Sequence, residues 1–88
     1  MYYVYILESI VNKKWYIGYT SNLRQRISDH NNGKGGKTTK QGLSWKLIYY
    51  EAYLKKEDAT GREIFLKSGS GHRFINKQLR HYLDLKKK

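Results

Sequence analysis

Five side chains stand out because together they could hydrolyse a phosphodiester bond. That reaction needs a metal held by a carboxylate, a group that activates water, and cations that balance the charge developing on phosphorus. Glu63 is the candidate metal ligand, and Tyr5 and Tyr16 are candidates for positioning or deprotonating water. Arg26 could clamp the phosphate through its forked guanidinium, and His30 could assist proton transfer or bind phosphate.

Each of these side chains also has an ordinary structural explanation. Tyr5 and Tyr16 could pack across two strands, Arg26 could pair with a nearby carboxylate, and His30 could cap the end of a helix. Taken singly, these explanations are favoured. A tyrosine base is also demanding, because its usual pKa of about 10 requires activation by a metal, a cation or a hydrogen-bonded relay.

The stretch between residues 15 and 30 would position three of the five candidates. It predicts a strand, a turn and a helix, and Gly18 in the strand lets the backbone bend or another group approach closely. Arg26 and His30 are four residues apart, so they should lie along one edge of the helix. A tyrosine on the strand and this pair on the helix would then converge from two rigid elements.

The complete pattern predicts an α+β fold in the order β-β-α-β-α-α, with a small three-stranded antiparallel sheet flanked by helices. The expected strands and helices cover residues 2–7, 15–19, 23–31, 44–53, 56–67 and 72–85. Gly69 is predicted to end the second helix and Ser70 to cap the third. The chain of 88 residues is expected to form one domain, with a disordered basic tail over residues 85–88.

The chain is strongly basic, with 18 Lys and Arg residues against 7 Asp and Glu and a formal net charge of +11. Such a charge attracts a polyanion, and nucleic acid is favoured over an anionic membrane surface. Tyrosines and tryptophans could stack on bases, although filling a small core explains most of them better. The apolar-free loop over residues 34–42 could grip phosphate or simply be solvated, and the sequence leaves both alternatives open.

The composition also bears on location. There is no cysteine, which excludes disulfides and thiolate metal sites and is compatible with an intracellular location. No apolar run approaches the roughly 20 residues that a membrane span needs, and the opening residues lack the features of a signal peptide. A cytoplasmic protein without a membrane partner is therefore expected.

Four short motifs and one longer run occur in order along the chain: Tyr3-Val4-Tyr5, Tyr16-Ile17-Gly18, Asn22-Leu23, Arg26-x-x-x-His30 and residues 62–71. Together they resemble the GIY-YIG nuclease family over nearly the whole chain. The longer run is similar to the small single-domain branch, which is related to the N-terminal nuclease domain of the bacterial excision-repair incision subunit. Two positions depart from the pattern: Tyr3 replaces a glycine, and Tyr19 stands where the repair nuclease has a lysine.

The resemblance implies a divalent-metal-dependent endonuclease that hydrolyses phosphodiester bonds in DNA, with RNA not excluded as a substrate. It implies one Mg²⁺ or Mn²⁺ ion held by Glu63, with the phenol of Tyr16 acting on the attacking water. Tyr5 would assist by hydrogen bonding and Arg26 would stabilise the phosphate. His30 falls where relatives carry a second polar active-site residue.

Contacts with nucleic acid are predicted in the loop and the C-terminal half, at Lys34, Lys37, Lys40, Arg62, Lys67, Arg73 and Asn76. Asn76 falls near where relatives place an asparagine beside the glutamate, whereas His72 and His81 are expected to have no functional role. Family members often carry a separate DNA-binding domain, for which this chain has no room. We therefore expect structure- or damage-directed cleavage with low sequence specificity, as in DNA repair, or a protein partner that supplies targeting.

Two other classes of function compete with the enzyme. The first is a non-catalytic nucleic-acid-binding module that keeps the nuclease fold, and the second, less favoured, is a basic adaptor for other proteins. The presence of Glu63 beside four other candidate residues favours the enzyme, because a pure binder of phosphate needs no carboxylate.

Overall fold

A computed structural model describes residues 1–32 and 44–86. Within them, strands and helices follow one another as β1 (Tyr2–Ser9), β2 (Trp15–Thr20), α1 (Leu23–Asn31), β3 (Trp45–Tyr53), α2 (Lys56–Leu66), α3 (Gly69–Gln78) and α4 (Arg80–Lys86). The strands form one antiparallel sheet in the order β2-β1-β3. The predicted α+β fold, a three-stranded antiparallel sheet flanked by helices, is confirmed.

The central strand β1 is buried along most of its length. Its successive side chains point to opposite faces of the sheet, so both faces carry buried residues. Val4 and Ile6 pack into a core with Leu66 of α2 and Ile75 of α3. Tyr5 points the other way, into a second core to which α1 contributes apolar side chains. The sheet therefore lies between α1 on one face and the pair α2 and α3 on the other.

The C-terminal part differs from the expected single helix over residues 72–85. It forms two helices, separated at Leu79, where the backbone leaves the helical region (φ −104°, ψ 25°). Helix α4 includes Leu85 and Lys86, the first two residues of the predicted tail, and residues 87 and 88 lie outside the described part of the chain. Among the helices described, none is long and apolar enough to cross a bilayer.

The prediction of the α2–α3 boundary was wrong. Ser68, not Ser70, is the N-cap of α3, and its hydroxyl oxygen accepts a hydrogen bond of 3.1 Å from the N–H of Gly71. Gly69 is consequently the first residue of α3 rather than the end of α2. Both serines offer the same capping hydroxyl, so the choice between them depends on how the two helices meet.

The two helices meet at Gly71, where α3 crosses the end of α2 at very short range. A Cβ atom on Gly71 would lie 2.5 Å from Cα of Leu66 and would also collide with the carbonyl oxygen of Phe65. Backbone atoms of a packed helix cannot move aside as a flexible side chain can, so only glycine permits this crossing. The crossing fixes the next residue, His72, at the β2 side of the fold.

Candidate active site

A buried hydrogen bond between Tyr5 and His30 joins β1 to α1. The phenol oxygen of Tyr5 lies 3.0 Å from Nε2 of His30, and the exposed fractions of the two residues are 1% and 0%. Burial, together with the Tyr16 and Glu63 charges, raises the pKa of the Tyr5 phenol, and the positive charge of Arg26 only partly opposes the shift. Tyr5 is therefore held as a neutral phenol, which suits a hydrogen-bonding group better than a base.

His30 is near enough to Arg26 for the Arg26 charge to act on it, but its side chain is enclosed by the protein. It is fully buried, and burial and the Arg26 charge lower the pKa of its imidazole against the opposing effect of Asp29. Its Nδ1 atom has no hydrogen-bond partner among the described residues. A neutral, buried imidazole cannot reach a bound phosphate, so the geometry favours a positioning role for His30 through its bond to Tyr5.

Replacing His30 should change how stability depends on pH. Because the folded-state pKa of His30 is lowered, the unfolded chain binds a proton more readily than the folded chain between that pKa and the usual value of about 6.5. The contribution of neutral His30 to the free energy of unfolding is therefore complete above about pH 6.5 and is lost as the pH falls below that value. Thermal midpoints should therefore fall more steeply below pH 6.5 in the wild type than in His30→Gln, whereas parallel curves would contradict a lowered pKa.

Tyr16 lies against both members of this buried pair. Its ring centroid is 6.3 Å from that of Tyr5, with the planes 28° apart, and 4.5 Å from that of His30. Gly18 stands directly across from Tyr5 in the sheet, and a Cβ atom on it would lie 2.5 Å from the Tyr5 oxygen. The close approach predicted at Gly18 is thus confirmed, because the Tyr5 ring lies over this glycine.

Arg26 and Glu63 act on Tyr5 through their charges. The guanidinium of Arg26 lowers the pKa of Tyr5 and the carboxylate of Glu63 raises it. Within residues 1–32 and 44–86, Arg26 forms no ion pair, so the pairing with Asp29 or Glu63 that would be its ordinary structural explanation is not observed. Tyr5, Tyr16 and His30 are thus in direct contact, and the two charged candidates from α1 and α2 lie within electrostatic range of Tyr5.

Glu63 is the predicted metal ligand, and the residues around it allow a simple test of fit. Its Oε2 atom lies 3.1 Å from Nζ of Lys67, and its side chain is 22% exposed. In the part of the chain that the structure describes, no group of three or more His, Cys, Asp or Glu residues could hold a metal. Mg²⁺ commonly uses one or two carboxylates and fills its remaining positions with water and substrate phosphate oxygens. A single partly exposed carboxylate fits such an ion.

The predicted nucleic-acid contacts fall into different settings. The guanidinium of Arg62 donates to both oxygens of Glu51, at 2.9 and 3.1 Å, and lies against the rings of Phe65 and Phe74. This internal engagement gives Arg62 a structural role, and its contact with nucleic acid stays a prediction.

The other residues predicted to contact nucleic acid are either exposed or lie outside the part of the chain that the structure describes. Three of the predicted contacts, Lys67, Arg73 and Asn76, are exposed residues of the α2–α3 segment. The loop lysines, Lys34, Lys37 and Lys40, lie outside the described residues. The nucleic-acid contacts therefore stay predictions.

Sequence reasoning missed the setting of His72. Its imidazole stacks on Trp15, with ring centroids 5.8 Å apart, and both rings border a surface depression that Tyr16 and Lys67 also line. No spacing in the sequence signals this contact, because it depends on the crossing of α3 over α2 at Gly71.

A comparison with known protein families decides the family. A family model described as the GIY-YIG catalytic domain matches residues 1–77. The chain belongs to the GIY-YIG family. The matching description is that of a catalytic domain, and GIY-YIG nucleases generally use a divalent metal.

Similar proteins agree with this assignment to the GIY-YIG family. A UPF0213 protein of Streptococcus pneumoniae serotype 4 is 45% identical over 65 residues, which cover 74% of this chain and 65% of that protein. A UPF0213 protein of Streptococcus pyogenes serotype M3 is also 45% identical over 65 residues, with 74% and 70% covered. The solution NMR structure of a Bacillus halodurans UPF0213 protein is similar at 34% identity and a TM-score of 0.54, covering 89% of this chain and 85% of that one. The match thus spans just under two thirds of the pneumococcal relative.

Proposed function

We propose that this GIY-YIG protein is a divalent-metal-dependent endonuclease that hydrolyses phosphodiester bonds in DNA. The observation that carries the proposal is the contact between Tyr5 and Tyr16 within range of the opposite charges of Arg26 and Glu63. A carboxylate beside a phosphate-binding arginine weakens simple binding, because it repels the anion. It is useful where a cation has to be held against that phosphate.

Each charged group has a separate part in the proposed reaction. Glu63 would hold one Mg²⁺ or Mn²⁺ ion, which supplies Lewis-acid polarisation of the phosphate when bound. Arg26 has no ion-pair partner in the described chain, so its N–H donors can contact the non-bridging phosphate oxygens. It would balance the charge that develops during attack.

The aromatic groups would orient the attacking water. Tyr16 is half-buried and lines the surface depression, and its phenolate form would accept a hydrogen bond from the attacking water and take that water's proton to become a phenol. Tyr5 stacks on Tyr16 and is itself anchored by His30, so it fixes the direction in which the Tyr16 phenol points. His30 and Tyr5 are positioning residues in this scheme, and Tyr16 is a catalytic residue.

The biological setting forms part of the proposal. The formal net charge of +11 provides affinity for any DNA sequence through the phosphates, which supports cleavage directed by DNA structure or damage rather than by sequence. Such cleavage suits DNA repair in the cytoplasm; the alternative is that a protein partner supplies the targeting. The loop lysines Lys34, Lys37 and Lys40 would add phosphate contacts. Cleavage of RNA should be measured beside that of DNA, because the positive charge attracts both.

Tyr16→Phe tests this proposal, since it keeps the ring contacts and removes only the hydroxyl. Supercoiled plasmid and branched, nicked and single-stranded oligonucleotides should be cut by the wild type with Mg²⁺ or Mn²⁺. The variant should cut at least about 100-fold more slowly, with DNA affinity measured by fluorescence anisotropy almost unchanged.

Tyr50→Phe provides the matched control, because Tyr50 is an exposed tyrosine on β3, and it should cut normally. Equal loss of cutting and binding in Tyr16→Phe would make its hydroxyl structural. A wild type that binds DNA and cuts none of these substrates would favour the non-catalytic binding module.

A further inference from the structure

A surface depression beside β2 adjoins the candidate active site, but the proposed reaction gives no role to two of the residues that line it, Trp15 and His72. It has a volume of about 280 Å³ and is lined by Trp15, Tyr16, Ile17, Lys67 and His72. Tyr16 is the proposed catalytic phenol, and Lys67 is ion-paired with Glu63, the proposed metal ligand. Any DNA strand placed over Tyr16 therefore brings its neighbouring nucleotide to this depression.

The aromatic part of the depression is held in place from two directions. The indole N–H of Trp15 donates to Oε2 of Glu8 at 3.0 Å, and the phenol of Tyr82 donates to Oε1 of the same carboxylate at 2.6 Å. Glu8 is buried, and burying a carboxylate costs stability unless it is hydrogen-bonded. The structure uses this buried carboxylate to fix the plane of the Trp15 ring.

His72 completes the aromatic pair from the other side. It is exposed, and its ring plane lies 29° from that of Trp15. Its place is set by the close crossing at Gly71 rather than by a mobile loop. Two flat rings from β2 and α3 are thus arranged in advance, and their order is not acquired on binding.

The charged part of the depression is suited to phosphate. The side chain of Lys67 is 54% exposed, and its ammonium lies 3.1 Å from Oε2 of Glu63. A surface ion pair at this helical spacing contributes little to stability, so a bound phosphate can recruit Lys67 at little cost. Aromatic rings beside a cation form the combination that binds single-stranded nucleic acid without reading its sequence.

We propose that this depression binds the nucleotide next to the scissile phosphate. The base stacks on the exposed side of the Trp15–His72 pair, and the adjacent phosphate contacts the ammonium of Lys67. The inference rests on the proposed endonuclease, which places a DNA strand over Tyr16, and it assigns roles to Trp15 and His72 that the reaction itself does not require.

Tryptophan emission gives the first test, with a 12-nucleotide single-stranded DNA in the presence of EDTA so that nothing is cut. The chain has two tryptophans, and Trp45 is only 4% exposed. DNA should quench the wild-type emission, and the quenching should disappear in Trp15→Phe, where only the buried Trp45 emits. Quenching that persists in Trp15→Phe would overturn the proposal.

Affinity gives the second test, measured by anisotropy of the same DNA. His72→Ala should bind at least about fivefold more weakly, the lower end of what loss of one stacked base costs. His81→Ala removes another exposed histidine, on α4, and should bind as the wild type does. Equal affinities for His72→Ala and His81→Ala would overturn the stacking assignment.

A double-variant cycle separates a direct phosphate contact by Lys67 from simple neutralisation of Glu63. Lys67→Gln should weaken binding and reduce the salt dependence of affinity by about one ion. If Lys67 contacts phosphate, Lys67→Gln should weaken binding just as much in a Glu63→Gln background. If Lys67→Gln does not change DNA affinity in the Glu63→Gln background, Lys67 acts only by neutralising Glu63, and the proposed contact between Lys67 and phosphate is wrong.

The outcomes distinguish this inference from the proposed function. A wild type that cuts DNA but shows no Trp15 quenching and no effect of His72→Ala keeps the endonuclease and loses the nucleotide subsite. A wild type that shows both binding effects but cuts no substrate keeps the subsite and loses the endonuclease. Absence of any DNA binding would overturn both.

Discussion

Glu63→Gln should abolish cleavage of plasmid DNA by the protein in the presence of Mg²⁺ or Mn²⁺ while leaving DNA binding intact. The amide has nearly the shape of the carboxylate but lacks the charge that holds a divalent ion. Without the ion, the charge developing on the phosphate loses a major source of stabilisation, so the rate should fall at least about 1,000-fold. DNA affinity in EDTA should stay equal or rise, because a negative charge beside the phosphates is removed.

The controls for this variant address folding and general charge effects. The pair between Glu63 and Lys67 is a surface pair at helical spacing, worth about 0.3–0.5 kcal/mol, so the variant should melt within a few degrees of the wild type. Glu57→Gln makes the same change at an exposed position in the first turn of α2 and should cut normally. Wild-type cutting by Glu63→Gln, or equal losses in both variants, would contradict the proposed metal site.

Gly71→Ala should be the most destabilising small change in the C-terminal half. Its methyl group would meet the backbone at Leu66 and Phe65, so α3 has to separate from α2. Overpacking of this kind costs about 1–3 kcal/mol, and about 2 kcal/mol lowers the thermal midpoint of a domain of this size by roughly 8–16 °C.

Gly61→Ala is the matched control for that prediction, since it makes the same change within α2. A Cβ atom on Gly61 would have nothing within 4 Å, and alanine is favoured over glycine in a helix by about 1 kcal/mol. Gly61→Ala should therefore raise the thermal midpoint where Gly71→Ala lowers it. A neutral Gly71→Ala would show that α3 can move away from α2 without loss.

Local signals made the β2–α1 segment predictable. Thr20, Ser21 and Asn22 each offer a side-chain oxygen that can cap a helix, and in the structure Asn22 is the cap of α1, which covers Leu23–Asn31 as predicted. The proximity of Tyr5 and Tyr16 followed from placing two neighbouring strands side by side, but the sequence did not fix the register, in which Tyr5 faces Gly18 and Leu7 faces Tyr16. The family resemblance, rather than these patterns, supplied the roles of the candidate residues.

Features that depend on distant contacts could not be predicted. His30 is buried because α1 docks against Tyr5, and the spacing within α1 alone is equally consistent with an exposed side chain. Arg62 pairs with Glu51 of β3, and no local signal distinguishes it from a phosphate-binding arginine. His72 meets Trp15 only after α3 has crossed α2.

The central claim is that a cation held by Glu63 lies beside the phenol of Tyr16. Titration of Mn²⁺ into nitrogen-15-labelled protein tests it most directly, because a bound paramagnetic ion broadens the NMR signals of nearby nuclei. We predict that the backbone amide signals of Glu63, Lys67 and Tyr16 broaden first, and that Glu63→Gln abolishes this effect at the same Mn²⁺ concentration. Broadening centred on another carboxylate such as Asp84, or unchanged in Glu63→Gln, would contradict the claim.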